Sequence, residues 1–305
     1  MCWFVKSYIG SVAFYKHLLL GALVLLILSL VTLVLVFGIK CAKMSENLAL
    51  ADEHTSPAAE TEKEQEYTIA YQKDYPGLYA EKPALTDKKA AGGAEEVPQK
   101  KVVYLTFDDG PSNLTIKILD ILDKYQVKAT FFVIGREDDF SKSVYKEIVA
   151  RGHTIGVHTY SHEYKQIYAS VDAYLADFNK LYELIYDTTG VKPQIFRFPG
   201  GSVNSYNSVI YQELIAEMLR RGFVYYDWNI SSGDTAKRAT RASVVANTIP
   251  NVKNFEQPVL LFHDSAGKSS VVEALPQIIE KLQEKGYLFG KLDATVPPIY
   301  FGYAD

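Results

Sequence analysis

Val102-Val-Tyr-Leu-Thr-Phe-Asp-Asp-Gly-Pro111 is a short run of β-formers that ends abruptly in two adjacent carboxylates and a Gly-Pro breaker. The pattern predicts a buried strand emerging into a loop, with Asp108 and Asp109 at its mouth. In α/β folds, active sites form at the C-terminal ends of such strands. Two neighbouring carboxylates in a partly buried site repel each other when both are ionised, so a metal ion or an arginine is expected beside them.

Outward from this strand, apolar periodicity alternates regularly. Ile116 to Tyr125 recurs at helical spacing, Ala129 to Ile134 reads as a strand, and Asp139 to Ala150 reads as a helix closed by Arg151-Gly152. Strands are expected at Thr154–Val157, Ile195–Phe198, Phe223–Trp228, Val259–Phe262 and Tyr287–Phe289, and helices at Val171–Tyr186, Val209–Arg221, Ala242–Ile249 and Val271–Lys285. Strands separated by helices imply parallel pairing, and about seven such units point to an α/β fold with a distorted (β/α) barrel of parallel strands. An open doubly wound sheet is the alternative. The barrel is favoured because Asp108, Asp109, His158, Arg197, Asp227 and His263 all fall at or just past the C-terminal ends of expected strands, which in a barrel form one rim.

The flanks read differently. Leu18 to Ile39 carries no charge and is long enough to cross a hydrocarbon core of about 30 Å at about 1.5 Å per residue, so it reads as a transmembrane anchor. A cleaved signal peptide is the rival, with Ala49-Leu50-Ala51 as a small-residue site, but the apolar run exceeds the usual length of such a segment. The expected organisation is a cytoplasmic stretch over 1–17, the span over 18–39, a flexible acidic tether over 40–100, a catalytic domain over 101–290 and a tail over 291–305. Within the tether, Tyr67 to Tyr79 is apolar enough to dock on the main domain. The acidic residues that follow the span place the bulk of the chain outside a cell membrane crossed once. A net charge of -4 argues against a nucleic-acid partner, and both cysteines, Cys2 and Cys41, flank the span, so no disulfide framework holds the domain.

His158-Thr-Tyr-Ser-His162 sets two imidazoles at i and i+4, which on a helix or helical turn face one way. With Asp109 they make a two-histidine, one-carboxylate set; zinc fits it, and the same set holds Fe(II) in oxygenases. His153, between a helix-ending glycine and a strand, reads as structural.

Thr106-Phe-Asp-Asp-Gly110, His158-Thr-Tyr-Ser-His162, Arg197-Phe-Pro-Gly-Gly201 and Leu261-Phe-His263, in this order, resemble the motifs of the NodB-type polysaccharide deacetylases, carbohydrate esterase family 4. The resemblance covers about Lys101 to Leu288. It implies a distorted (β/α) barrel and metal-dependent removal of acetyl groups from glycans. It makes Asp109, His158 and His162 the metal ligands, Asp108 the general base and His263 the general acid. Arg197 matches the arginine that pairs with the base, and Asp234 the aspartate that contacts the acid histidine, with Asp227 as the competing assignment. Pro199, Gly200, Trp228 and Leu261 are expected in the substrate groove. Two departures bear on that groove: Thr235 stands where the family often has Trp, and Gly200 where many members have Tyr, although its backbone N–H remains able to act as an oxyanion donor.

The resulting expectation is a monomeric, membrane-anchored hydrolase that removes N-acetyl groups from cell-wall glycan, first of all from N-acetylglucosamine of peptidoglycan. The expected cofactor is a divalent metal, Zn2+ first, with Co2+, Mn2+ or Ni2+ as alternatives. A chitooligosaccharide deacetylase or O-acetyl xylan esterase would use the same site, and a non-catalytic glycan-binding module is the alternative outside enzymology.

Overall fold

The computed structural model describes residues 75–81 and 101–301, together with Leu20. Apart from Leu20, the expected span over 18–39, most of the tether and the last four residues lie outside that description, and among the described residues no helix is long and apolar enough to cross a membrane.

Eight strands form one sheet: β1 (Val102–Asp108), β2 (Thr130–Ile134), β3 (Thr154–Thr159), β4 (Ile195–Phe196), β5 (Val224–Tyr225), β6 (Ile230–Ser231), β7 (Val259–His263) and β8 (Leu288–Gly290). Their order is β5-β4-β3-β2-β1-β7-β6, parallel throughout, while β8 pairs with the first residues of β1. Tyr104 is matched both to Val259 of β7 and to Gly290 of β8, so β8 runs along the β1 edge that β2 takes over from Thr106. Seven helices connect and cover the strands: α1 (Asn113–Lys124), α2 (Asp139–Ala150), α3 (Tyr164–Ile167), α4 (Val171–Thr189), α5 (Tyr211–Arg220), α6 (Arg241–Thr248) and α7 (Ser269–Glu284). The barrel is incomplete, because β5 and β6 end the sheet without pairing to each other.

The alternation of β1 explains the site. Tyr104, Thr106 and Asp108 share one face of the strand; Val103, Leu105 and Phe107 share the other and are fully buried. Phe107 stacks between Phe131 and Phe262 of the neighbouring strands, at ring distances of 5.0 and 5.5 Å. Each such aromatic contributes about 1.5–3 kcal/mol by leaving water. β2 is buried along its whole length, as a strand covered on both faces must be. Local signals set the ends: Ser112 caps α1 in a reciprocal box with Thr115, and Gly190 closes α4 in a left-handed conformation.

Two segments outside the regular elements complete the domain. The last stretch, 291–301, fills the seam the sheet leaves open. Leu292 is buried with Phe132, Ile195, Tyr226 and Val259, and the amide of Asp227 donates to Ile299 O at 2.7 Å. At the other end of the chain, Tyr75–Glu81 lies against α5, with Leu78 fully buried. Arg221, held by Glu217 at 2.7 Å, donates to the carbonyls of Tyr75 and Leu78 at 3.1 Å each.

Candidate active site

The rim at the C-terminal ends of the strands gathers the polar residues that are separated in sequence. Asp108 ends β1 and is matched in register to His263, the last residue of β7, so the two side chains emerge on the same face of neighbouring strands. Asp109 follows in a left-handed conformation, φ 73°, which turns its carboxylate away from that of Asp108 and toward β3. His158 lies near the end of β3.

His162 corrects the helical reading of the histidine pair. It stands in the turn after β3 with φ 59°, ahead of α3, so the pair converges through a strand end and a left-handed turn rather than along one helix face. Asp177 of α4 fixes that turn by accepting hydrogen bonds from the amides of Tyr160 and Ser161, at 2.5 and 2.9 Å.

The Nε2 atoms of His158 and His162 lie 3.5 and 3.1 Å from Asp109 Oδ1, and one ligand atom from each of the three residues falls within 4.8 Å of the others. Asp109 Oδ1 is buried, yet no donor is aligned to hydrogen-bond it. The second nitrogen of His158, Nδ1, contacts Arg197 O at 2.7 Å, which favours the tautomer with its proton on Nδ1 and a lone pair on Nε2. Burial lowers the pKa of His158, against the pull of Asp108 and Asp109. Burial works the other way on Asp109, but the imidazoles of His162, His158 and His263 hold its carboxyl well below the usual range. A neutral imidazole with a free lone pair and an ionised carboxylate with a bare oxygen are the states a divalent metal requires, so these residues fit one.

Arg197 lies on the inner side of the base candidate. It is fully buried: Nη1 donates to Asp108 Oδ1 at 2.9 Å and to Thr106 Oγ1 at 2.7 Å, while Nε and Nη2 reach the carbonyls of Tyr226 and Asp227 at 2.8 and 3.0 Å. Burial lowers its pKa, and the Asp108 and Asp227 carboxylates offset part of that. The guanidinium carbon lies over the ring of Phe132, 4.4 Å from its centroid.

Across the site, His263 Nδ1 is 2.8 Å from Asp234 Oδ1, and Asp234 Oδ2 accepts the His263 amide at 2.7 Å. Burial lowers the His263 pKa, but the Asp234 hydrogen bond and charge outweigh it, and the net shift is upward. The choice between Asp234 and Asp227 falls to Asp234. Asp227 instead accepts from Ser202 N and Phe301 N, both at 2.8 Å, and from the Ser202 hydroxyl, tying the Gly200–Ser202 turn to the last stretch of chain.

Of the expected groove residues, Gly200 is exposed with φ 76°, whereas Pro199 and Leu261 are buried and Trp228 is half-buried between Phe301 and Arg197. The sequence reading missed Asp264. It is fully buried behind the Asp108–Pro111 loop, accepts from Thr115 Oγ1 at 2.5 Å, and leaves no room for a side chain at Gly110, whose Cβ would stand 2.3 Å from its carboxylate. Burial, with the nearby charges of Asp109 and Asp108, pushes its pKa up to about 7. A carboxylate directly after a strand-end histidine was the available signal.

Residues 95–219 match the family described as polysaccharide deacetylase. A putative polysaccharide deacetylase of Bacillus subtilis, YheN, is 36% identical over 207 residues, which is 66% of this chain and 70% of that protein. The chain belongs to the polysaccharide deacetylase family. Within it, a peptidoglycan-N-acetylglucosamine deacetylase of Bacillus cereus is 32% identical over 72% of this chain and 80% of its own length. Among solved structures, the catalytic domain of peptidoglycan N-acetylglucosamine deacetylase from Eubacterium rectale superposes with a TM-score of 0.64 at 39% identity, covering 71% of this chain and 99% of that one. Polysaccharide deacetylases of this family are metal-dependent hydrolases, and among the described residues Asp109, His158 and His162 form a group able to hold a metal ion.

Proposed function

We propose that this deacetylase hydrolyses the N-acetyl groups of N-acetylglucosamine in peptidoglycan, on the outer side of a cell membrane to which the Leu18–Ile39 segment anchors it. The observation that carries the reading is the placement of Asp108, paired to buried Arg197, between an Asp-His-His ligand set and the His263–Asp234 pair. Proteins similar to this chain include peptidoglycan-N-acetylglucosamine deacetylases.

A divalent ion held by Asp109, His158 and His162, zinc first among the candidates, would supply Lewis acidity toward the acetyl carbonyl and acidify the attacking water. Asp108 accepts the proton from that water as its oxygen adds to the acetyl carbon. Arg197, with two hydrogen bonds to Thr106 and Asp108 from one nitrogen, fixes the carboxylate and gives it a counter-charge. The backbone N–H of Gly200, an exposed residue, would serve as a donor to the developing oxyanion. His263, kept protonated by Asp234, passes its proton to the amine nitrogen as the C–N bond breaks, leaving acetate and a free glucosamine amine.

The test is acetate release from N-acetylated peptidoglycan by the full chain in membranes, before and after chelation. Release that chelation abolishes and zinc restores supports the reading. Release from acetylxylan but not from peptidoglycan would replace it with the O-acetyl esterase alternative.

A further inference from the structure

The side of the site next to His162 is walled by residues that take no part in the chemistry above. α3 begins two residues after His162 and brings the Tyr164 ring edge-on to the imidazole, with centroids 5.3 Å apart at 89°. The ring of Tyr206 lies 5.0 Å beyond it, and that of Tyr168 supports it from behind at 6.1 Å. Tyr206 is 51% exposed. Its loop is nonetheless braced. Asn204 Oδ1 accepts the amides of Tyr206 and Asn207 at 2.8 and 3.2 Å, and Asn204 Nδ2 donates to the carbonyls of Pro199 and Gly201 at 3.2 and 3.0 Å. Asn207, fully buried, returns the bond to Asn204 N at 2.8 Å and holds Ser202 O at 2.9 Å.

This scaffold also explains Gly200. A Cβ there would stand 3.0 Å from Tyr164 Cε1 and 3.3 Å from its hydroxyl, so Tyr164 occupies the space that a side chain at position 200 would need. Beside Asp234, on the opposite flank, the described residues Thr235, Lys237 and Arg238 are exposed, and none of them is aromatic. The site therefore has an aromatic wall, braced by hydrogen bonds and open to solvent beside His162. Surfaces of that kind fit the apolar C–H face of a pyranose whose hydroxyls are equatorial.

We propose that Tyr164 and Tyr206 form the platform on which the sugar ring bearing the acetyl group packs, and that they set the preference for glycan over small acyl compounds. This rests on the deacetylase reading, but it concerns binding, which can be measured without turnover. Preorganisation on the Asn-braced loop limits the ordering cost of binding, so the contact counts toward affinity.

The test uses the full chain carrying Asp108→Asn and measures its affinity for tetra-N-acetylchitotetraose by calorimetry. Adding Tyr164→Leu or Tyr206→Ala is expected to weaken binding about tenfold each, while Tyr164→Phe, which keeps the ring, restores it. In chains with Asp108 intact, the ratio of kcat/KM for the oligosaccharide to kcat/KM for 4-nitrophenyl acetate falls with each ring removed. Glycan binding within about twofold of the parent after both rings are removed would overturn the platform. Binding that depends on the tyrosines without acetate release from any glycan would leave the platform standing and overturn the deacetylase reading instead.

Discussion

His158 and His263 face the same site from opposite flanks, and each has its Nδ1 within hydrogen-bond distance of an oxygen, at 2.7 and 2.8 Å. The oxygens differ. Behind His158 stands the backbone carbonyl of Arg197, a neutral acceptor; behind His263 stands the carboxylate of Asp234. Depth differs too, since the side chain of His158 is 3% exposed and that of His263 is 15% exposed. Burial lowers the pKa of the first ring and so favours a neutral lone-pair donor, whereas the carboxylate raises that of the second and so favours the cation. The same residue type is thus set as ligand on one flank and as acid on the other by what lies behind the ring.

The largest expected effect breaks the ligand flank. His158→Ala removes one of three ligands from the buried side; the purified chain should lose its metal on gel filtration, read by elemental analysis, and its acetate release should fall below detection. Asp108→Asn comes next and leaves both flanks in place: metal content stays at parent level while acetate release drops about 10²–10⁴-fold, the usual worth of a general base. A sharper test converts one flank toward the other. Asp234→Asn gives His263 a neutral partner like that of His158 and so lowers its pKa. Because the reaction needs the imidazolium, the rate falls as pH rises through that pKa, and the alkaline limb of the pH–rate profile should move to lower pH in the variant. The smallest effect on chemistry and a clear one on stability is expected from Arg197→Lys. Charge is kept, but the fork that reaches Thr106, Asp108 and two carbonyls is lost, at a cost of about 1–3 kcal/mol in denaturant unfolding.

Much of this was legible in the sequence because parallel strands announce themselves as apolar runs and the chemistry sits at their ends. Val102–Asp108, Thr130–Ile134 and Val259–His263 fall within a residue of where periodicity puts them, and helix Asp139–Ala150 agrees at both ends. Some short elements were lost, β6 with two residues and α3 with four, whereas β4 and β5, also of two residues, lie within expected strands. The i, i+4 spacing of His158 and His162 pointed to residues that do converge, but by the wrong route, since a left-handed residue has no periodic signature. Asp177 on α4 resembles any solvated helical carboxylate, and its hold on the turn before His162 exists only in three dimensions. The last stretch of chain, with Pro297-Pro298 and few consecutive apolar residues, carries no pattern that would reveal a segment sealing a barrel.

The division of labour between the flanks is tested most directly by His263→Asn in metal-loaded chain, assayed side by side on an N-acetyl glycan and on 4-nitrophenyl acetate. An amine leaves only when protonated, whereas nitrophenolate leaves unaided. The account predicts a fall of about 10²–10⁴-fold on the glycan with a much smaller change on the ester. Equal losses on both substrates would contradict it and would make His263 a structural partner of Asp234 rather than the acid.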